Sequence, residues 1–274
     1  MVSFAEKERY DFSDFRQIIA LLRGPGGCPW DASQTHESIR RNLLEEAYEL
    51  AHAIDSGDRE NLREELGDVL MQVLFHSRLE EEQGGFDIDD VCDAAVKKLL
   101  FRHPHVFGST GAGSPEEALN RWDAAKRAEK GQKSVADAME AVAETLPALW
   151  RAEKLQKKAA AVGYAWPDVS GALGKIREET EELCAGIAAR DADNIEEEIG
   201  DLLFSVVNAA RFEHVDPERA LHRACDKYTR RFRFAESRAE SEGKTLDGLS
   251  LPEIEALYQQ ARRELEGKEP APGF

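Results

Sequence analysis

The chain has 274 residues, with 36 Lys and Arg against 54 Asp and Glu, a formal net charge of −18. A charge of that sign opposes the phosphate backbone of nucleic acid and the anionic face of a bilayer, so neither is an expected partner; it does not oppose a small anion whose charge is carried by bound metal. Hydrophobic residues make up 42%, enough for a packed core, and no run of 18 apolar residues suggests a membrane span.

The first residues, Met1 to Phe12, are charged and lack the apolar core of a signal peptide. Four cysteines, Cys28, Cys92, Cys184 and Cys225, stand far apart without a C-x-x-C pair. Neither a disulfide framework nor a zinc ribbon is expected, and a reducing cytoplasm is the natural setting. Gly24-Pro-Gly-Gly27 is a turn placing Trp30 and not a phosphate-cradling loop, since no Gly-Lys-Ser/Thr follows. Ile39, Leu43, Ala47, Leu50 and Ile54 recur at three- and four-residue steps and predict a helix. Gly57 should end it and Asp58 should cap the next, whose buried face carries Leu62, Leu66, Val69, Leu70, Val73 and Leu74. His103 and His105 flank a proline and read as structural or capping residues. The Gly/Ser/Pro run from residue 109 marks a break before a charged helix. Ser250-Leu-Pro-Glu253 has the form of a capping box opening a last helix.

The chain repeats itself. Glu45–Ile54 matches Glu178–Ile187, and Asn61–Arg78 matches Asn194–Arg211, both at an offset of 133 residues without a gap. Shared helical composition does not explain coincident Glu, Asn, Gly, Asp and Arg. The reading is two homologous domains, 1–118 and 146–265, with a helical linker region at 119–145 and a flexible tail at 266–274. Strand signals are nearly absent, so the fold class is all-α, a tandem helical repeat.

Within each copy, acids recur on one helical face: Glu46 with Glu49 on the first helix, Glu65 with Asp68 on the second. The second copy repeats them as Glu179, Glu182, Glu198 and Asp201. An isolated E-x-x-E is usually a solvated face; this pairing on adjacent helices, found twice, is not. If the helices pack antiparallel, four carboxylates converge, and hard divalent cations are the natural neutralisers. A di-iron bundle would need Glu-x-x-His, which neither copy has, so oxygen-only ligation favours Mg²⁺, with Mn²⁺ possible. Lys227, Arg230 and Arg231 form a basic cluster suited to phosphate oxygens.

The run E-E-x-x-E followed by E-x-x-D resembles the signature of the MazG family of nucleoside triphosphate pyrophosphohydrolases. So do Gly26–Ile39, Arg102–Gly108 and Lys154–Trp166. The resemblance covers nearly the whole chain in the family's two-domain form. It implies an all-α homodimer with four-helix-bundle-like domains, Mg²⁺, and conversion of a nucleoside triphosphate to monophosphate and pyrophosphate, in nucleotide-pool house-cleaning or stress regulation. It also implies that the second copy dominates. There, metal would be held by Glu179, Glu182, Glu198 and Asp201. Nucleotide would be contacted by Lys175, Ile176, Arg177 and Glu178, by Asn194, Ile195, Glu196 and Glu197, and by Lys227, Tyr228, Thr229, Arg230 and Arg231. Tyr258 stands where the family has a base-stacking Trp, and Glu178 is the candidate for orienting or deprotonating water. In the first copy Asn42 replaces Lys175. The alternatives are a dimeric dUTP hydrolase, a phosphoribosyl-ATP pyrophosphohydrolase, or a non-catalytic nucleotide-sensing or scaffold protein with vestigial sites.

Overall fold

The structure is a computed structural model that describes residues 2–108, 111 and 113–267. Among the described residues the secondary structure is helical, without strands, as the periodicity predicts. The chain divides into two compact units, one ending at Ala128 and the other beginning at Glu129. The first holds α1 (Phe12–Arg23), α2 (Pro29–Ser33), α3 (His36–Ser56), α4 (Arg59–Glu82), α5 (Ile88–Arg102), α6 (Pro104–Phe107) and all but the last residue of α7 (Pro115–Glu129). The second holds α8 (Val135–Glu140), α9 (Ala148–Ala160), α10 (Val169–Ala189), α11 (Ala192–Phe212), α12 (Pro217–Ser241), a 3-10 turn at Leu246–Gly248 and α13 (Leu251–Glu266). Residues 119–145 are thus divided between the units. Of the stretch from residue 266, Glu266 ends α13 and Gly267 caps it, and 268–274 lie outside the described residues.

Each repeat is a helical hairpin, α3–α4 and α10–α11. Local chemistry sets the turns. Gly57 caps α3 at φ +71°, and the Asp58 side chain accepts from the backbone amides of Glu60 and Asn61 to start α4. In the second hairpin Asp191 accepts from the Asn194 amide, but the glycine's place is taken by Arg190 at φ +58°. A left-handed residue with a Cβ is strained. Ser250 and Glu253 form the capping box expected at α13.

A third helix packs on each hairpin, α1 against α4 and α9 against α11. In the first unit Ile19, Ile39, Leu74, Phe75, Leu79 and Ile88 form one buried cluster. α12 and α13 pack through small residues, with Ala235, Ala239 and Ala261 all but inaccessible.

The apolar face predicted for α4 is only partly buried, which corrects the sequence reading. Leu74 is enclosed, but Leu66, Leu70 and Val73 are exposed, and so are the repeat-equivalent Ile199, Leu203 and Val206 of α11. They recur at steps of four and three and so form one stripe along each helix. Burying that face takes a layer that its own hairpin and third helix do not provide.

Arg190→Gly is expected to raise unfolding free energy by about 0.5–1 kcal/mol: the relieved left-handed strain outweighs the glycine's extra unfolded-state entropy. Urea denaturation followed by circular dichroism checks it.

Candidate active site: paired carboxylate clusters

The hairpins bring acids together as the spacing predicts, with one difference. In the first unit Glu46, Glu49 and Glu65 each present a carboxylate oxygen within 4.8 Å of the others, and in the second Glu179, Glu182 and Glu198 do the same. The fourth acid of each set stands outside this group. Asp68 lies close enough to push the carboxyl groups of Glu46 and Glu65 upward. Asp201 instead lines a cavity beside Glu179.

The two copies handle the repulsion differently. In the first, desolvation by burial is the main cause raising the Glu46 and Glu65 pKa, with neighbouring carboxylates adding to it. Oε2 of Glu65 is buried and has no hydrogen-bond partner. An orphaned carboxylate oxygen facing two further carboxylates is the donor set a hard divalent cation takes, so these residues fit Mg²⁺ or Mn²⁺. In the second unit the Lys175 ammonium enters the cluster, 2.5 Å from Glu179 Oε1 and 2.8 Å from Glu178 Oε1. It holds the buried Glu179 below the usual carboxylate range, while Lys175 itself is raised by its hydrogen bonds to Glu178 and then Glu179. Glu182 is raised, chiefly by its hydrogen bond to Glu179 and then by burial. Glu198 is raised chiefly by burial; Asn194 opposes this by donating Nδ2 to its Oε1 at 2.9 Å.

The other expected contacts fall in two places. Ile176 and Arg177 sit on α10 beside Lys175, where the Ile176 carbonyl accepts from the Thr180 hydroxyl. Glu178 is exposed and bound to Lys175. Ile195, Glu196 and Glu197 follow Asn194 in the first turns of α11, with both glutamates exposed. Lys227, Tyr228, Thr229, Arg230, Arg231 and Tyr258 belong to a separate cluster on α12 and α13. There Arg231 is buried, binds both carboxylate oxygens of Glu266 (2.8 and 2.5 Å) and lies over the Tyr258 ring. Arg230 is more exposed and 3.8 Å from Glu266. Tyr258 packs against Tyr228 with ring centroids 5.7 Å apart. No residue of α12 or α13 lines the cavity beside Glu179.

That cavity, about 740 Å³, was not legible beforehand. It is lined by residues of α9, the Gly163–Trp166 segment, α10 and α11, among them Gln156, Lys175, Glu179, Asp201, Asn208 and Arg211. The sequence gives the run Lys154–Trp166 no role, and only tertiary packing shows that it lines a cavity with α11. His103, read as a capping residue, does place Nδ1 2.7 Å from the Leu99 carbonyl at the end of α5.

A family model described as a MazG nucleotide pyrophosphohydrolase domain matches residues 34–107 and 171–233, one segment in each unit. A Thermotoga maritima protein named nucleoside triphosphate pyrophosphohydrolase/pyrophosphatase MazG is 42% identical over 92% of this chain and 95% of its own length. An Escherichia coli K12 protein named nucleoside triphosphate pyrophosphohydrolase is 42% identical over 90% of this chain and 95% of its own. A Bacillus subtilis protein, YabN, is 45% identical over 92% of this chain, which spans 52% of that protein.

Lys175 competes with any cation for Glu179. Lys175→Ala is therefore expected to tighten nucleotide-free Mn²⁺ binding at the second cluster roughly fivefold, the worth of about 1 kcal/mol for a partly exposed, solvent-screened ion pair. The first cluster should be unchanged. Electron paramagnetic resonance titration of free Mn²⁺ checks both.

Proposed function

Because this chain belongs to the MazG family of nucleotide pyrophosphohydrolases, we propose that it cleaves nucleoside triphosphates between the α and β phosphates with the help of Mg²⁺ or Mn²⁺. It is an enzyme, a hydrolase of phosphoric anhydrides. The observation that carries the metal-assisted reading is the recurrence of the same three-carboxylate group at repeat-equivalent positions of both hairpins.

Glu179, Glu182 and Glu198, with Asp201 beside them, would hold the cation in the second unit, and Glu46, Glu49, Glu65 and Asp68 in the first. When bound, the cation supplies positive charge to the phosphoryl oxygens and lowers the pKa of water. Water adds to the α-phosphorus, the α–β bridging P–O bond breaks, and pyrophosphate leaves with the bridging oxygen. Glu178, exposed and outside the carboxylate triple, orients the water or takes its proton. Lys175 moves from the carboxylates to the substrate phosphates. Lys227 and Arg230 are assigned to phosphate, together with Arg231, whose guanidinium is held by Glu266 in the free protein. Catalysis is then mainly positioning and charge stabilisation.

The second copy carries the turnover. Both copies keep their carboxylates, but the first has Asn42 for Lys175 and Lys98 with Arg102 as its only counterpart to the basic cluster. The functional state is a homodimer that buries the exposed stripes of α4 and α11 against a second copy, and the setting is the cytoplasm. No described helix is long and apolar enough to cross a membrane, and the four cysteines are free.

Activity should vanish in EDTA and return with Mg²⁺, with monophosphate and pyrophosphate as first products by chromatography. Glu182→Ala and Asp201→Ala should each lower kcat by about 10²-fold or more, while Glu49→Ala and Asp68→Ala keep most of it. Equal losses in folded variants from both copies would place turnover in both sites.

Leu203→Glu should put a charge in the α11 stripe and yield a monomer where the parent chain is a dimer. Light scattering at assay concentration reads this directly.

A further inference from the structure

In the second carboxylate group the α11 glutamate has a partner that its counterpart on α4 lacks. Asn194, one turn before Glu198, donates Nδ2 to Glu198 Oε1 at 2.9 Å. The repeat puts Asn61 one turn before Glu65 in the same way. Yet Asn61 and Glu65 share no hydrogen bond, and Glu65 Oε2 is buried without a partner. The backbones do not explain the difference. The Asp191 side chain accepts from the Asn194 backbone amide and the Asp58 side chain from that of Asn61, so each asparagine sits in the first turn of a capped helix.

The preceding helix of each hairpin does explain it. Gly186 of α10 is buried, and a Cβ built on it would overlap Asn194 Oδ1. The next nearest atoms, Asn194 Cγ and Ile195 Cγ1, would stand at an ordinary 3.4 and 3.5 Å. The bare Cα therefore leaves a notch that takes the amide oxygen of Asn194, while the amide nitrogen reaches Glu198. Only the end of a side chain would have to turn away if the notch were filled. The repeat equivalent of Gly186 is Ala53, which is wholly buried on α3 and brings the methyl group that Gly186 lacks. Glycine inside a helix is less favourable than alanine, so α10 carries this residue against its own helix propensity.

We propose that Asn194 is a positioning residue for Glu198, seated by the missing side chain of Gly186, and that the Ala53 methyl group denies Asn61 the same role in the first copy. The proposal rests on the metal-assisted reading of the carboxylate groups. A carboxylate with one oxygen held by an amide presents the other in a fixed direction, and a ligand oriented beforehand loses less freedom when a cation arrives. One methyl group thus makes the two clusters unequal on the metal side, in addition to the difference between Lys175 and Asn42.

The experiment is Mn²⁺ binding to the nucleotide-free full chain, read by electron paramagnetic resonance with one cluster disabled at a time. With the first disabled by Glu49→Ala, Gly186→Ala and Asn194→Ala should each weaken binding at the second cluster about tenfold or more, the usual effect of losing a group that orients a metal ligand. The two together should be no weaker than either alone, because both remove one hydrogen bond. With the second disabled by Glu182→Ala, Ala53→Gly should tighten binding at the first cluster by a similar factor, and adding Asn61→Ala should abolish the gain. Alanine for glycine favours a helix and glycine for alanine disfavours it, so both expected changes run against the effect on folding. Circular dichroism checks that each variant is folded. Mn²⁺ affinity within twofold of the parent for folded Gly186→Ala, or losses that add in the double variant, overturns the proposal, and so does an Ala53→Gly variant that binds no tighter. In each of these cases the metal-assisted reading stands. A chain that binds Mn²⁺ with the expected differences yet cleaves no nucleoside triphosphate leaves the positioning role in place and overturns the reading of the reaction alone. A chain that binds no Mn²⁺ at either cluster overturns the proposal together with the metal-assisted reading.

Discussion

Three carboxylates within 4.8 Å of one another, on helices that cannot move apart without undoing their hairpin, are the constraint from which the rest of the molecule follows. The two-residue turns, the aspartate caps and the close pairing of the helices fix the spacing before any ligand arrives. Repulsion at that distance is answered by raised pKa values, by a cation of the chain's own, or by a metal. The protein displays the first two. Glu46 and Glu65 are pushed up in the first unit, chiefly by burial, and Glu182 and Glu198 are raised in the second, where Lys175 also holds Glu179 below the usual carboxylate range.

The repeat turns the chain into an internal comparison. The two copies differ at few of the residues around the carboxylates: Asn208 stands against Phe75 and Lys175 against Asn42, and Arg23 of α1 lies over the Phe75 ring. The first unit keeps its three-carboxylate group at positions equivalent to those of the second.

The apolar stripes are the other consequence of building a domain from a hairpin and a third helix. A helix pair has two broad faces, and α1 or α9 covers only one. Leu66, Leu70 and Val73, with their equivalents Ile199, Leu203 and Val206, are left exposed, although Leu70 lines a cavity together with Phe12, Phe15 and Ile18 of α1. Matching exposure at matching positions points to one packing requirement used twice.

The sequence by itself determined the helices, the hairpin turns, the duplication and the convergence of three acids per copy, because each depends on contacts three or four residues apart or on a turn of two residues. It also carried the family signature. It did not determine that Asp68 and Asp201 stand outside the tight groups, that Arg231 is paired with Glu266, or that half the predicted apolar face of α4 is left open. Those depend on side chains that meet across α12 and α13 or on a layer the single chain does not supply. The cleft between α9 and α11 is the clearest case. Gln156 looks like one more polar residue in a charged helix until the fold buries it. Only the carbonyl of Phe204, 48 positions away in the chain, decides which end of its amide is satisfied.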